Sequence, residues 1–157
     1  MAITKTNFFA QSLNQFAPNR VRGELLDWGL SATVLEAQID ASVEGTLYAG
    51  DPVKIAATST GKLKVVPAES TDPFCGYILF NPKHDEWKAG MICSILVTNG
   101  VLNCVTEEAI NAGTPVYYKD ADGSVTTSGA TGARVMGVTM AKVPATSGGI
   151  FVPVMIR

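Results

Sequence analysis

Apolar positions in this chain fall mostly in short runs of four to eight residues, broken by Gly, Pro, Asn and Asp. That rhythm predicts strands near residues 34–40, 45–48, 52–57, 62–66, 74–80, 91–98, 100–105, 115–119, 124–127, 133–141 and 149–156. Two dipeptides carry hairpin signals. Asn99-Gly100 stands between Ile92-Cys93-Ser94-Ile95-Leu96-Val97 and Val101-Leu102-Asn103-Cys104-Val105, and Asp122-Gly123 between Val116-Tyr117-Tyr118 and Ser124-Val125-Thr126. Both readily take the positive φ angles of a tight turn. Only two stretches suggest helix: a turn over 106–111 closed near Gly113, and residues 7–16, where Phe9, Leu13 and Phe16 fall at i, i+4 and i+7 before Pro18.

The strand pattern repeats. Tyr48-Ala49-Gly50-Asp51-Pro52-Val53 returns as Asn111-Ala112-Gly113-Thr114-Pro115-Val116. The first copy continues through Gly61-Lys62-Leu63-Lys64-Val65, Cys75-Gly76-Tyr77-Ile78 and the run from Ile92. The second continues through Gly123-Ser124-Val125-Thr126, Met136-Gly137-Val138-Thr139 and the run from Ile150, with matching points about sixty residues apart. In each copy Gly suits a turn, and Pro opens a strand where its missing N–H does no harm. Two such units can close on a shared core as a small barrel or sandwich. The expected organisation is therefore an arm over residues 1–33, partly helical or extended, and an all-β, barrel-like domain over 34–157 with repeats at about 45–98 and 108–157.

Composition narrows the functional classes. Twelve Lys and Arg against fourteen Asp and Glu leave a formal charge of −2, which argues against nucleic acid as the main partner. No apolar run approaches a membrane-spanning length, and no signal-peptide pattern opens the chain. Cys75, Cys93 and Cys104 read as free thiols of a protein made in a reducing cytoplasm. With His84 the single histidine, a zinc site is not expected. His84 lies in the polar loop Asn81-Pro82-Lys83-His84-Asp85-Glu86, and no Ser or Cys sits in a nucleophile motif. Asp120 and Asp122 invite a calcium reading, but an EF-hand would need a Glu where Ala130 and Thr131 stand. Neither Thr58-Ser59-Thr60-Gly61 nor Gly129-Ala130-Thr131-Gly132 is a phosphate-binding loop. No catalytic residue, cofactor or metal is expected.

The arm is where a partner is expected. Phe8, Phe9, Leu13, Phe16, Leu25, Leu26 and Trp28 are large hydrophobes that need burial, either on the chain's own barrel or on a neighbouring subunit, and Arg20 and Arg22 lie among them.

The doubled Ala-Gly-x-Pro-Val phrase, the Gly-Tyr and Gly-Val strands, the second copy's Pro115-Val116-Tyr117-Tyr118 followed by Asp120-Ala121-Asp122-Gly123, and a last strand like that from Ile150 to Ile156 resemble the capsid cement (decoration) proteins of tailed bacteriophages. The resemblance spans roughly residues 45–157. It implies a β-barrel or β-tulip-type structural protein without cofactor or enzymatic activity. Such a protein is made in the host cytoplasm, binds the outer face of the capsid, and clamps major capsid protein subunits together as a homo-oligomer, a trimer ahead of a dimer. It further implies that the arm residues named above make the capsid or intersubunit contacts, with Arg20 and Arg22 on shell carboxylates. Two other readings stand beside it: a different virion component, such as a head-fibre base or tail protein, and a small ligand-binding barrel.

Overall fold

The computed structural model describes residues 22–26 and 31–157. Thirteen strands and no helix occur among them: β1 (Leu25–Leu26), β2 (Thr33–Ile39), β3 (Leu47–Tyr48), β4 (Pro52–Ile55), β5 (Lys64–Pro67), β6 (Gly76–Ile78), β7 (Glu86–Trp87), β8 (Ile92–Thr98), β9 (Val101–Thr106), β10 (Pro115–Tyr118), β11 (Val125–Thr126), β12 (Val135–Thr139) and β13 (Ile150–Ile156). The all-β class expected from the strand rhythm holds. The helical turn expected over 106–111 does not form; the chain bends after β9, and Ile110 makes a β-bridge to Val143. The helix expected over 7–16 lies outside the described residues.

Each repeat builds the same sheet. In the first half the strand order is β5-β4-β6-β8-β2, and in the second β11-β10-β12-β13-β9. The equivalence reaches single hydrogen bonds. Gly50 N–H donates to Ile78 O at 2.7 Å and Ile78 N–H to Asp51 O at 3.0 Å, while Gly113 N–H donates to Thr139 O at 2.7 Å and Thr139 N–H to Thr114 O at 3.0 Å. Both turn glycines carry positive φ, 88° and 79°, so the recurring Ala-Gly is a backbone requirement. Val53 then faces Gly76 as Val116 faces Gly137. These two glycines are demanded by space rather than by φ. A Cβ on Gly76 would lie 2.5 Å from Leu96 O, and one on Gly137 2.0 Å from Met155 O.

The halves differ in how they finish. The first closes into a five-stranded barrel through parallel pairing of β2 with β5, Gln38 to Lys64 and Ile39 to Val65. Ala37, Ile39, Val53, Val65, Ile78 and Ile95 fill it, and Trp87, paired with Leu47 across β7 and β3, buries itself at the same core. The second half stays open and takes β1 as a sixth strand on β9. Its core is completed by Tyr77, Leu79 and Leu96, which the first half presents from outside its own core. A sheet whose open side is filled by a neighbour's side chains has no need to close on itself. Of the small barrel or sandwich expected from the two units, the structure closes the barrel within the first half and packs the second half's open sheet against it.

Asn99-Gly100 shows why. Asn99 has the expected positive φ of 59°, yet β8 and β9 do not pair; β8 joins the barrel and β9 the six-stranded sheet. The tight turn hands the chain from one half to the other. At Asp122-Gly123 the expected hairpin does form, pairing Tyr117 with Thr126 and Tyr118 with Val125.

Candidate interaction surface

The root of the arm is built into the seam between the halves. Gly23, at φ 77°, donates its N–H to Asn103 O at 2.8 Å, and Asn103 N–H donates to Glu24 O at 2.9 Å. Phe80 N–H reaches Gly23 O at 2.9 Å. A Cβ on Gly23 would lie 2.5 Å from Gly50 N, so the arm rests directly on the first repeat's turn. From there the chain enters β1, where Leu25 pairs with Leu102 and Leu26 with Val101. Strand β9, covered on both faces and on both edges, is buried along its whole length.

Arg22 locks this root from inside. Its side chain is 5% exposed, and its guanidinium donates to Asp51 Oδ1 at 3.0 Å. The same oxygen accepts the Tyr118 hydroxyl at 3.1 Å, and Asp51 Oδ2 accepts Tyr48 N–H at 3.0 Å. One buried carboxylate thus ties the arm, the first repeat's turn and the second half's β10. Burial works against the arginine's charge, but the adjoining Asp51 more than offsets it and holds its pKa above the ordinary value. Burial, with Asp51 behind it, pushes the Tyr118 phenol well up. Both stay protonated at any physiological pH.

Arg22 was expected to reach a shell carboxylate. Its carboxylate is instead Asp51 of the same chain, because a guanidinium in the interior needs a charged partner there. Leu26 is buried in the seam and Leu25 is partly exposed at the sheet edge. Phe8, Phe9, Leu13, Phe16, Arg20 and Trp28 lie outside the described residues. Asp51 was not singled out, although one signal existed: it is the charged residue where the second repeat has Thr114.

The polar groups considered for chemistry lie in loops and hold them in place, locally at Asp122 and across the fold at Asp120. His84 is exposed, and Asn81 makes a β-bridge to it. Asp120 accepts from Ser70 Oγ at 2.6 Å and Ser70 N–H at 2.9 Å, and Asp122 from Ser124 Oγ at 2.6 Å. No group of three His, Cys, Asp or Glu placed to hold a metal occurs among the described residues. The thiols are unbridged, and burial raises Cys93 to about 11 and Cys104 to about 12, which keeps both unreactive.

What the surface does present is apolar. Val34 and Leu35 on β2 are 41% and 43% exposed, and Ile92 on β8 is 56% exposed. Ile92 lines a cleft of about 220 Å³ with Glu36, Ala37, Gln38, Lys62 and Leu63, at the place where β5 parts from β2. Exposed apolar side chains beside an open strand edge suit a protein contact better than a small ligand.

No curated protein matches the chain. Among solved structures, the head fiber gp8.5 N base of bacteriophage phi29 shares the fold, with a TM-score of 0.51 at 11% identity over 81% of this chain and 95% of that one. The sequence model of the XM1 gp53 minor capsid proteins matches residues 9–153, nearly the whole length, and the chain accordingly belongs to that family of phage minor capsid proteins.

Proposed function

We propose that this chain is a capsid cement protein, binding the outside of a phage head and bridging major capsid protein subunits as a homo-oligomer, a trimer in the first instance. Family membership over residues 9–153 is the observation that carries the reading. The filled barrel and the immobilised arm root support it, since both suit a rigid clamp. Several modest contacts from one oligomer, spread over several shell subunits, give retention that no single contact supplies. Phe8, Phe9, Leu13, Phe16 and Trp28 make the apolar contacts, Leu25 contributes at the sheet edge, and Arg20 pairs with shell carboxylates. The protein is made in the host cytoplasm and acts on the virion exterior.

Co-sedimentation with expanded, undecorated heads of the source phage tests this. Saturable binding at a copy number matching symmetry axes is expected. Alanine at Phe9 and Phe16 together should weaken binding by roughly thirtyfold or more, the loss typical of apolar anchors at an interface. Unchanged binding by that variant overturns the arm assignment.

The likeness to the phi29 head fiber base favours a second reading, the base of a head fibre. Its distinguishing outcome is a low copy number together with loss of fibres from virions lacking this protein.

A further inference from the structure

Because the halves are copies, an unoccupied position in one can be read from the other. Ile78 and Thr139 are equivalent through their turn hydrogen bonds. Ile78 pairs with Ile95, which pairs with Leu35; Thr139 pairs with Val154, which pairs with Leu102. One step further along, Glu36 opposite Ser94 corresponds to Asn103 opposite Pro153. Asn103 uses its outward N–H and C=O to hold Gly23 and Glu24, the start of the added strand β1.

Glu36 points the same way. Gln38 N–H donates to Leu63 O and Ile39 N–H to Met91 O, so along β2 the even residues turn their backbone away from β8. At Gln38 that side is met by the chain entering β5. At Glu36 the chain has parted into the cleft, and no described residue bonds the Glu36 N–H or C=O. Residues 33–36 are all exposed. Among the described residues, the first half thus leaves open the edge that the second half fills with a strand.

We infer that this edge receives, in trans, residues 2–6 of a second copy of this chain, adding a strand to β2 as β1 adds to β9. This rests on the proposed self-association and names its interface. The strand filling the equivalent edge comes from the N-terminal region of the chain itself. Residues 2–6, Ala-Ile-Thr-Lys-Thr, are rich in β-branched types, which favour an extended strand. Residues 1–21 contain Lys5 and Arg20 and no Asp or Glu, which complements Glu36 at the edge; Lys5 opposite Glu36 is a favourable cross-strand pair. The fifteen residues between position 6 and the fixed root at Arg22 span roughly 50 Å when extended, enough to reach a neighbouring copy. Main-chain pairing supplies affinity, and Val34 and Ile92 flank the incoming strand with apolar surface.

The test compares solution mass by light scattering for the full chain, Glu36→Pro, Glu36→Gln and a variant lacking residues 2–6. Proline at 36 removes the outward N–H but spares the β2·β8 ladder, which does not use it; near-UV circular dichroism checks that the fold is kept. The full chain and Glu36→Gln should be oligomers, and Glu36→Pro and the deletion should associate about ten- to a hundredfold more weakly. An oligomer unaffected by either change overturns the inference while leaving self-association intact, and a monomeric full chain overturns both. Monomers whose Glu36 amide exchanges slowly until residues 2–6 are removed mean that the segment docks in cis. An intact oligomer that loses capsid binding in Glu36→Pro means that the strand belongs to the shell. Either outcome overturns the second-copy assignment.

Discussion

The two halves share turn, register and strand order, yet one is a barrel and the other a sheet. The first half seals β2 to β5 with main-chain hydrogen bonds. The second has no such ladder between β9 and β11. Glu108, just past β9, stitches that side with its carboxylate: Thr126 Oγ1 donates to Oε1 at 2.5 Å, and Thr127 N–H and Oγ1 donate to Oε2 at 3.0 and 2.9 Å. Asp40, at the corresponding end of β2, accepts from Ser42 Oγ and from Thr58 Oγ1, at 2.6 and 2.5 Å, beside a seam already closed. The halves share one topology, and a few side chains decide how each ends.

The seam between the halves should break the comparison most strongly. Replacing Arg22 by Ala leaves Asp51 buried without its cation and should cost about 3–5 kcal/mol of unfolding free energy, read from denaturant melts. Asp51→Thr copies the second half's own residue at that position. Combined with Arg22→Met it removes both charges together and should recover most of the loss. Failure to recover would mean that the charges themselves, rather than the filled space, hold the halves in register.

A smaller effect is expected at the paired glycines. Gly137→Ala and Gly76→Ala each drive a Cβ into a carbonyl of the next strand, at a cost of about 1–3 kcal/mol. Gly137 should be the worse, since its clash is 2.0 Å against 2.5 Å. Equal losses would show that the open sheet yields more readily than the barrel.

Acid should act on the second half's stitch first. Burial opposes the Glu108 charge, but the bonds from Thr126 and Thr127 prevail and hold its pKa below the ordinary 4.5. Its contribution is therefore complete above 4.5 and is lost as pH falls through the lowered value. Asp40, held at about 2 by Ser42 and then Thr58, keeps its bonds further into acid. Hydrogen exchange at Thr127, corrected for intrinsic rate, should rise on acidification before exchange at Ser42, whose N–H the Asp40 carboxylate accepts. Glu108→Gln should cost about 1 kcal/mol at neutral pH, less any solvent screening, and abolish that early rise.

Alternation and turn chemistry are local, so the strands, the repeat and the turns at Gly50, Gly113 and Gly123 were legible in the chain. Two short strands escaped. Leu25–Leu26 became β1 only because β9 offered a free edge. Glu86 read as the end of a polar loop, because the partners of Glu86–Trp87, Tyr48 and Leu47, lie far away in sequence. Of the arm, Leu26 and Arg22 proved to belong to the interior. No local signal distinguishes a partner-seeking arginine from one whose carboxylate arrives from a turn 29 residues on.

By itself, then, the sequence determined an all-β chain made of two copies of one unit, because hydrophobic period and positive-φ turns act over a few residues. Tertiary structure alone decided that Asn99-Gly100 separates strands rather than pairing them, that one copy closes and the other stays open, and that, among the described residues, the edge at Glu36 is left unpaired. Those outcomes depend on which side chains fill a shared space and which backbone edges meet, and both are set by residues far apart in the chain.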